Sequence, residues 1–350
     1  MLSTLKPIRV LVVDDSMVAR SLITNGLAKH PRIEVVGTAI NAIDAKTKIA
    51  RLSPDVMTLD VEMPGTNGIE FLKQYLPQHP LPVILVSSLN LRVFDALAAG
   101  AVDFVRKPDG TESRDSFLRS LTQKILVASH AKVHRTAPSP ASAAAKPIPP
   151  LGTNASNTLD HTIIGLGAST GGTEATLEVL KRLPADIPGM VVVQHMPVGF
   201  TKMYADRLNR ICQMEVREAK NGDEVHRGLV LIAPADYQTR LVRIGSRYTV
   251  SCQPGEKVSG HRPSVDVLFS SMAHVVKCPM VGIIMTGMGR DGASGLLEMR
   301  RAGAYTIGQD KDSCVVYGMP CVAQEIGAVT VQASCENIAS VLMNYLKRDV

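Results

Sequence analysis

A stretch of 32 residues near the middle of the chain, residues 129–160, differs sharply in composition from the sequence on either side. It contains five prolines, many alanines and serines, and almost no large apolar side chain. Such a segment cannot bury a core, and its prolines favour an extended, semi-rigid spacer. The chain of 350 residues is also too long for one ordinary core. We therefore expect a domain over residues 1–128, a linker over 129–160 and a second domain over 161–350.

Composition and charge exclude several classes of protein. No apolar run approaches the length of a membrane span, and the N-terminus lacks the pattern of a secretory signal, so we expect no direct membrane insertion. The net charge of +6 is spread along the chain, there is no Trp, and aromatic residues make up 4%, so we expect no nucleic-acid partner. The six cysteines form no CxxC pair, which favours reduced, packed thiols. Together these features predict a cytoplasmic protein.

In the first domain, short apolar strands alternate with amphipathic helices five times. The strands are predicted at RVLVVDD, IEVVGTA, DVMTLDV, PVILVSS and VDFVRKP. Five strand–helix units in about 120 residues predict an α/β fold with a doubly wound parallel sheet of flavodoxin-like (βα)5 type. Ligands of such sheets lie at the carboxyl ends of the strands.

The second domain repeats this alternation. Its strands are predicted at HTIIGLGAS, MVVVQHM, LVLIAP and MVGIIMTGM, with helices over residues 173–183, 201–211 and 292–302. This pattern predicts a second α/β domain with a mostly parallel sheet. A mixed sheet edge is predicted around YQTRLVRIGSRYTVS.

Polar side chains follow four strands of the first domain. Asp14 and Asp15 follow the first strand, and Asp60 ends the third; Ser87 follows the fourth and Lys107 the fifth. Crowded carboxylates at one edge suit Mg²⁺, a lysine offers a charge to a phosphoryl oxygen, and a carboxylate can accept a phosphoryl group. Any one of these aspartates alone would be read as a turn or cap residue. The joint pattern favours a phosphorylation site with Asp60 as the nucleophile.

The combination of DD, LDVEMPGTNG, SS and KP resembles that of response-regulator receiver domains over residues 7–127. The resemblance implies that a histidine kinase is the phosphodonor and that Asp60 takes the phosphate. It also implies that Mg²⁺ is bound by the carboxylates of Asp14, Asp15 and Asp60. The residues that switch the domain on phosphorylation would be Ser87, Phe104 and Lys107.

The stretch IIGLGASTGG at residues 163–172 runs from a buried strand through a Gly-rich turn into a helix. It holds a GxSxG pattern around Ser169, in the strand–turn–helix setting that exposes a nucleophilic hydroxyl. A dinucleotide fingerprint is a second interpretation, although its third glycine is replaced by Thr170. A plain phosphate-binding helix start is a third. The pattern alone does not decide among them.

Two further strand ends supply the partners that a serine nucleophile needs. MVVVQHM ends at His195, and MVGIIMTGM leads into a loop that carries Asp291. An imidazole that takes the serine proton and a carboxylate that orients the imidazole complete a hydrolytic triad. The rival base is His261, on a polar loop before a helix. Rivals for Asp291, which by itself would be read as a helix N-cap, are Asp310 and Asp312.

The motifs GLGASTGG, QHMPVGFT, LIAP, HRPSVDVLF, TGMGRDGASGL and VYGMP together resemble the catalytic domain of the chemotaxis methylesterases. A receiver, a linker and this domain in that order match the whole chain of the chemotaxis response regulator protein-glutamate methylesterase/protein-glutamine glutaminase family. The resemblance implies hydrolysis of glutamate γ-methyl esters on chemoreceptors, with release of methanol, and deamidation of particular receptor glutamines. It implies no cofactor for the esterase chemistry.

The resemblance also assigns residues. The catalytic triad maps to Ser169, His195 and Asp291, and Thr170 and Met288 match positions that line the active site, with a contribution to the oxyanion hole. One departure from the family is Arg290, where a neutral Asn is usual. An alternative function is a phosphorylation-controlled adaptor whose second domain binds a partner without catalysis. A transcription factor is disfavoured because the second domain lacks a basic recognition helix.

Overall fold

The computed structural model describes residues 6–63, 68–88, 91–108, 113–133 and 162–348. The chain divides into two compact units, Met1–Pro140 and Ala141–Val350. Most of the linker predicted over residues 129–160 lies outside the described residues, which end at 133 on its N-terminal side. Within the described ranges, no helix combines the length and the apolarity that crossing a membrane requires.

The first unit alternates strands and helices. Its strands are β1 (Ile8–Val13), β2 (Ile33–Ala39), β3 (Val56–Asp60), β4 (Val83–Ser87) and β5 (Asp103–Arg106). Its helices are α1 (Met17–Leu27), α2 (Ala42–Leu52), α3 (Gly68–Tyr75), α4 (Arg92–Ala98) and α5 (Arg114–Ala128). The strands pair in parallel in the order β2-β1-β3-β4-β5, so the predicted doubly wound sheet is confirmed.

Local sequence explains why these elements begin where they do. The side chains of Ser16, Asn41 and Ser113 accept backbone N–H bonds at the starts of α1, α2 and α5. Strands β3 and β4 are buried along their whole length, as expected of parallel strands covered on both faces by helices. Their carboxyl ends therefore emerge from an apolar core and carry the only polar side chains of VMTLD and VILVS other than Thr58.

The second unit is larger. Its strands are β6 (Ile163–Ala168), β7 (Gly189–Gln194), β8 (Glu215–Glu218), β9 (Leu229–Ile232), β10 (Gln238–Ile244), β11 (Arg247–Gln253), β12 (Met280–Ile284), β13 (Tyr305–Gln309) and β14 (Val331–Ala333). Its helices are α6 (Gly172–Leu180), α7 (Phe200–Ile211), α8 (Val265–Val275), α9 (Ala293–Arg301), α10 (Met319–Glu325) and α11 (Ile338–Arg348).

Seven of these strands form one parallel sheet in the order β14-β13-β12-β6-β7-β9-β8. The α/β fold predicted for this domain is confirmed. Strand β6 lies between β12 and β7, so the three segments that carry the predicted triad are direct neighbours. The crossover at this point, where the strand order reverses, is where open α/β sheets form their binding crevice.

The predicted mixed edge of the main sheet is wrong. The segment YQTRLVRIGSRYTVS instead forms a separate antiparallel hairpin, β10–β11, closed by the two residues Gly245 and Ser246. A two-residue turn with Gly at positive φ matches the twist of paired strands. The apolar face of the hairpin, including Leu241 and Val250, shares the core of α8, so burial there replaces pairing with the sheet.

Candidate functional site

At the carboxyl edge of the first sheet, two buried aspartates share one lysine. Asp14 and Asp60 are 1% and 2% exposed. The ammonium of Lys107 lies 2.6 Å from Oδ2 of Asp60 and 2.9 Å from Oδ2 of Asp14. Because β1, β3 and β5 end at the same edge, residues 46 and 47 positions apart in sequence meet in one pocket.

The carboxylates of this pocket suit a divalent cation. One oxygen each from Asp14, Asp15 and Asp60 lies within 4.8 Å of the others. Oxygen ligands at this spacing, two of them buried and one exposed to water, fit Mg²⁺, which keeps several waters. Burial raises the pKa of Asp60 despite its bond to Lys107. Burial also opposes the charge on Lys107, but its bonds to Asp60 and Asp14 outweigh that and raise its pKa.

The predicted switch residues surround the same edge. Ser87 ends β4, is fully buried, and its hydroxyl has no hydrogen-bond partner among the described residues. An orphaned buried hydroxyl beside an acidic pocket is ready to donate to an incoming oxygen. Phe104, on β5, is 2% exposed and packs edge-on against Phe94 of α4 at 6.4 Å.

In the second unit, Ser169 stands at the turn between β6 and α6. Its N–H donates to the Thr286 carbonyl at 3.0 Å, and its carbonyl accepts from the N–H of Gly172 at 2.7 Å. Gly171 adopts φ +76° as the residue before the helix, a conformation that a side chain would strain. The turn therefore holds a half-buried serine at the start of a helix.

His195 follows the neighbouring strand β7 and bonds to Asp291. The distance from Nε2 to Oδ2 is 2.9 Å, and both side chains are nearly buried, at 7% and 1% exposure. The N–H of His195 donates to the Ala168 carbonyl, which places the histidine beside the residue that precedes Ser169. Its other ring nitrogen, Nδ1, is buried and has no hydrogen-bond partner among the residues that the structure describes. No hydrogen bond joins the Ser169 hydroxyl to the ring in the described part of the chain.

Asp291 is held by the start of helix α8. Its Oδ1 accepts from the Ser264 hydroxyl at 2.6 Å and from the Asp266 N–H at 3.1 Å, while Oδ2 accepts from the Val265 N–H at 2.8 Å. Burial alone would raise the pKa of Asp291, but the bonds from His195, Ser264 and Val265 outweigh it and lower the pKa. The carboxylate is thus kept ionised next to the imidazole.

This arrangement depends on two glycines that let α8 approach. A Cβ at Gly167 on β6 would overlap with Val265, lying 2.8 Å from its Cγ2 and 3.1 Å from its Cβ. A Cβ at Gly292, beside Asp291, would lie 2.9 Å from the same Cβ of Val265. Close contact at both positions is what brings the first N–H groups of the helix within reach of Asp291.

Replacement of Gly167 by alanine should therefore destabilise the second unit by about 1–3 kcal/mol, the usual range for overpacking a core. Val265 is β-branched and fully buried, so it cannot rotate out of the way. Urea unfolding of Gly167→Ala against the unmodified protein measures the effect. In the Val265→Ala background the same Gly167→Ala change should cost much less; an equal loss in both backgrounds would contradict a steric origin.

The rival candidates for the base and for the carboxylate lie outside the pair formed by His195 and Asp291. His261 lies with its ring parallel to His195, at 3.7 Å between centroids and 8° between planes. Asp310 accepts from the N–H and hydroxyl of Ser313 and so closes its own loop, and Asp312 is exposed. Asp291 caps a helix as well, but that helix is α8 and not the one that follows it, where Gly292 is the N-cap.

The remaining predicted positions frame the turn. Thr170 is 6% exposed, and its carbonyl accepts from the buried hydroxyl of Thr286 at 3.0 Å. Met288 is 50% exposed in the loop that leads to Asp291, and Arg290 of that loop is exposed too.

Sequence reasoning missed three residues, two that support the turn at Ser169 and one that supports Asp291. The amide of Gln194 donates to the carbonyls of Ser169 and His195 at 2.8 and 3.1 Å. Thr286 binds both Ser169 and Thr170, and Ser264 binds Asp291. For Gln194 and Thr286, the one available signal was a polar residue at the end of an apolar strand, as in VVVQ and GIIMT. Ser264 reads as an ordinary N-cap.

Two units of this kind, one with an acidic pocket that holds a lysine and one with a serine, an imidazole and a carboxylate that follow adjacent strands, define a response regulator with a hydrolase output domain. Residues 10–119 match the response regulator receiver domain, and residues 164–342 match the CheB methylesterase family. The chain belongs to the family of protein-glutamate methylesterases/protein-glutamine glutaminases. The family predicted from the motifs is confirmed.

Relatives match over nearly the whole length. The chain is 51% identical over 346 residues to protein-glutamate methylesterase/protein-glutamine glutaminase 2 of Syntrophomonas wolfei, covering 98% of this chain and 99% of the relative. It is 46% identical over 352 residues to the enzyme of Syntrophotalea carbinolica, covering 97% and 98%. The CheB methylesterase catalytic domain of Thermotoga maritima is 35% identical, with a TM-score of 0.51, covering 52% of this chain and 97% of that structure.

Proposed function

We propose that this chain hydrolyses glutamate γ-methyl esters on chemoreceptors and deamidates particular receptor glutamines, with Ser169 as nucleophile, His195 as base and Asp291 as its orienting carboxylate. The bond from Nε2 of His195 to Asp291, which leaves Nδ1 as the acceptor nitrogen, is the observation that carries the proposal. The relatives are named protein-glutamate methylesterases/protein-glutamine glutaminases, which supports the ester and amide substrates, and the motif resemblance supports chemoreceptors as the proteins that carry them. The missing hydroxyl-to-ring bond is in keeping with catalytic hydrogen bonds that tighten only when substrate binds.

The steps follow from this geometry. The Ser169 oxygen forms a bond to the ester carbonyl carbon while its proton passes to Nδ1 of His195, and Asp291 stabilises the imidazolium. The tetrahedral intermediate then breaks the bond to methoxide, which takes that proton and leaves as methanol. Water attacks the acyl-serine by the same route and releases glutamate. With glutamine, the C–N bond breaks and ammonia leaves.

Stabilisation of the oxyanion falls to the turn around the nucleophile. We assign Thr170 and Met288 to the lining of this site, next to the start of helix α6, whose positive end favours a negative oxygen. Apart from the attacking water, every step uses groups of the chain itself, so the esterase proposal includes no cofactor. Arg290 adds a positive charge at the rim, where it would favour substrates with acidic neighbours.

For the first unit, we propose phosphorylation of Asp60 by a histidine kinase, with Mg²⁺ held by Asp14, Asp15 and Asp60. The cation would supply charge neutralisation for the incoming phosphoryl group. Lys107 would bind a phosphoryl oxygen, and the orphaned hydroxyl of Ser87 would donate to another. Together with Phe104, these last two residues form the proposed switch.

Removal of the Lys107 charge should separate phosphorylation of Asp60 from stimulation of the esterase activity. Lys107→Ala should still take phosphate but show little stimulation of esterase activity, because its ammonium is the group that links Asp60 to the end of β5. The check measures phosphate incorporation and methanol release in the same preparation. A variant stimulated as strongly as the unmodified protein would contradict the role of Lys107 in the switch.

The setting of these reactions completes the proposal. The six cysteines are free, which supports a reducing, cytoplasmic compartment. We propose a receiver over residues 1–128, a linker over 129–160 and a catalytic domain over 161–350, with no nucleic-acid partner and no direct insertion into the membrane.

The decisive experiment measures methanol release from a methylated chemoreceptor by the full chain, with Mg²⁺, in the presence and absence of a small phosphodonor. Methanol release that rises with the phosphodonor is the expected result. Binding to the receptor with no methanol release would overturn the proposal and favour the adaptor function.

A further inference from the structure

One short segment, residues 261–266, contacts both His195 and Asp291, the proposed partners of the nucleophile Ser169. The ring of His261 lies parallel to that of His195 at contact distance, 3.7 Å between centroids. Three residues further on, the fully buried hydroxyl of Ser264 donates to Asp291 at 2.6 Å. The motif HRPSVD therefore meets the imidazole at one end and the carboxylate at the other.

We propose that this segment is the positioning element of the imidazole–carboxylate pair, in which His261 fixes the ring of His195 and Ser264 fixes the carboxylate of Asp291. The proposal rests on the triad proposed above. It makes His261 and Ser264 positioning residues, which act through His195 and Asp291 and not on the substrate.

A single hydrogen bond does not fix the orientation of the His195 ring. The bond from His195 to Asp291 sets one edge of the ring, but the ring can still tilt about that contact. A second flat ring, parallel within 8°, blocks tilting on its side. An aromatic face also stabilises an adjacent cation, and His195 becomes an imidazolium when it takes the serine proton.

His261 is itself firmly supported. Its backbone exchanges two hydrogen bonds with Val258, at 2.9 and 3.0 Å, which closes a tight loop. Its carbonyl accepts from the amide of Gln238 at 3.2 Å, and the neighbouring Arg262 binds Asp236 at 2.9 Å. A ring on such a loop can hold another ring in place, as precise positioning of catalytic groups requires.

Ser264 belongs to a set of donors that saturates the carboxylate of Asp291. Each oxygen of Asp291 accepts two hydrogen bonds: Oδ2 from His195 and Val265, and Oδ1 from Ser264 and Asp266. Four donors leave the carboxylate one orientation, with Oδ2 aimed at the imidazole. The Ser264 hydroxyl donates to Oδ1 and also accepts from the Val267 N–H as the N-cap of α8, so its loss leaves Oδ1 with the Asp266 N–H alone and removes one cap bond from the helix.

The test compares variants of His261 in the full chain, with methylated chemoreceptor as substrate and phosphodonor present. His261→Ala should lower kcat about 10- to 100-fold with little change in KM, the size expected when a catalytic group is misplaced by about 1 Å. His261→Phe keeps a flat ring and should restore most of kcat. His274→Ala, at an exposed histidine on α8, is the matched control and should behave as the unmodified protein.

The activities of the His261 variants distinguish a positioning role from proton transfer. Equal activity of His261→Ala and the unmodified protein overturns the positioning role. A loss in His261→Phe as deep as in His261→Ala also overturns it, since proton transfer by His261 would then be required. Folding is monitored by thermal unfolding of each variant, so that a drop in kcat at unchanged Tm reports the site itself.

A parallel pair tests Ser264. Ser264→Ala should lower kcat about 10-fold, while Ser264→Thr, which keeps the hydroxyl, should recover activity; the magnitude is that of losing an orienting contact. Wild-type kcat in Ser264→Ala would overturn its part of the proposal. An active Ser169→Ala would refute the triad itself, whereas an inactive Ser169→Ala with unaffected His261 and Ser264 variants would refute only the positioning element.

Discussion

Replacing Ser169 by alanine should lower methanol release by about 10⁴- to 10⁶-fold, the loss seen when a member of a hydrolytic triad is removed. The fold should be preserved, because the bonds that shape the turn come from the backbone of Ser169 and from Gln194 and Thr286. The measurement is the initial rate of methanol release, with thermal unfolding as the check on folding. More than a tenth of the original activity would remove Ser169 from the mechanism.

The same expectation extends to the base. His195→Ala should fall as far as Ser169→Ala, and the double variant hardly further, because the two groups act as one unit. Losses that multiply in the double variant would show that the two residues act independently and would contradict the triad.

Replacing Asp60 by asparagine should abolish stimulation by phosphodonor and leave basal esterase activity in place. The amide lacks the nucleophilic carboxylate oxygen, so no acyl phosphate forms. The hydrolytic residues lie in the other compact unit, so the unstimulated rate should stay near that of the unmodified protein. The readouts are phosphate incorporation and the ratio of methanol release with and without phosphodonor, both in the presence of Mg²⁺.

A matched control separates the pocket from a general effect of charge. Asp95→Asn removes a carboxylate from the exposed side of α4 and should be stimulated as the unmodified protein is. Equal stimulation of Asp60→Asn and the unmodified protein would refute the assignment of the phosphorylation site.

Much of the fold could be predicted because its signals are local. The buried runs VMTLD and VILVS, each bounded by polar residues, are strands by composition and length alone. The parallel direction of the strands in the first unit also follows, since each strand is separated from the next by a helix. The hairpin β10–β11 was misplaced because its alternation shows a half-buried strand but not its partner, and the apolar surface of α8 provided that partner.

The two candidate sites differ in how far sequence could define them. In the first unit the residues that meet, Asp14, Asp60 and Lys107, all lie at or directly after the end of a strand, so the topology alone brings them together. In the second unit, Asp291 looked like the cap of the helix that follows it. The structure makes it the acceptor for the N–H groups at the start of α8, a contact between residues 25 and 26 positions apart that no local pattern encodes.

By itself, the sequence determined the two α/β folds, the edge of each sheet where chemistry is placed, and the family, because strand periodicity and strand-end polar residues are properties of short segments. Only the tertiary structure decided which nitrogen of His195 faces Asp291, that the ring of His261 stacks on the ring of His195, and that the Ser264 hydroxyl binds Asp291. Those features depend on how closely α8 approaches β6, which is set by the packing of Val265 over Gly167. Distances between side chains that are remote in sequence arise from packing, and packing is a property of the whole fold.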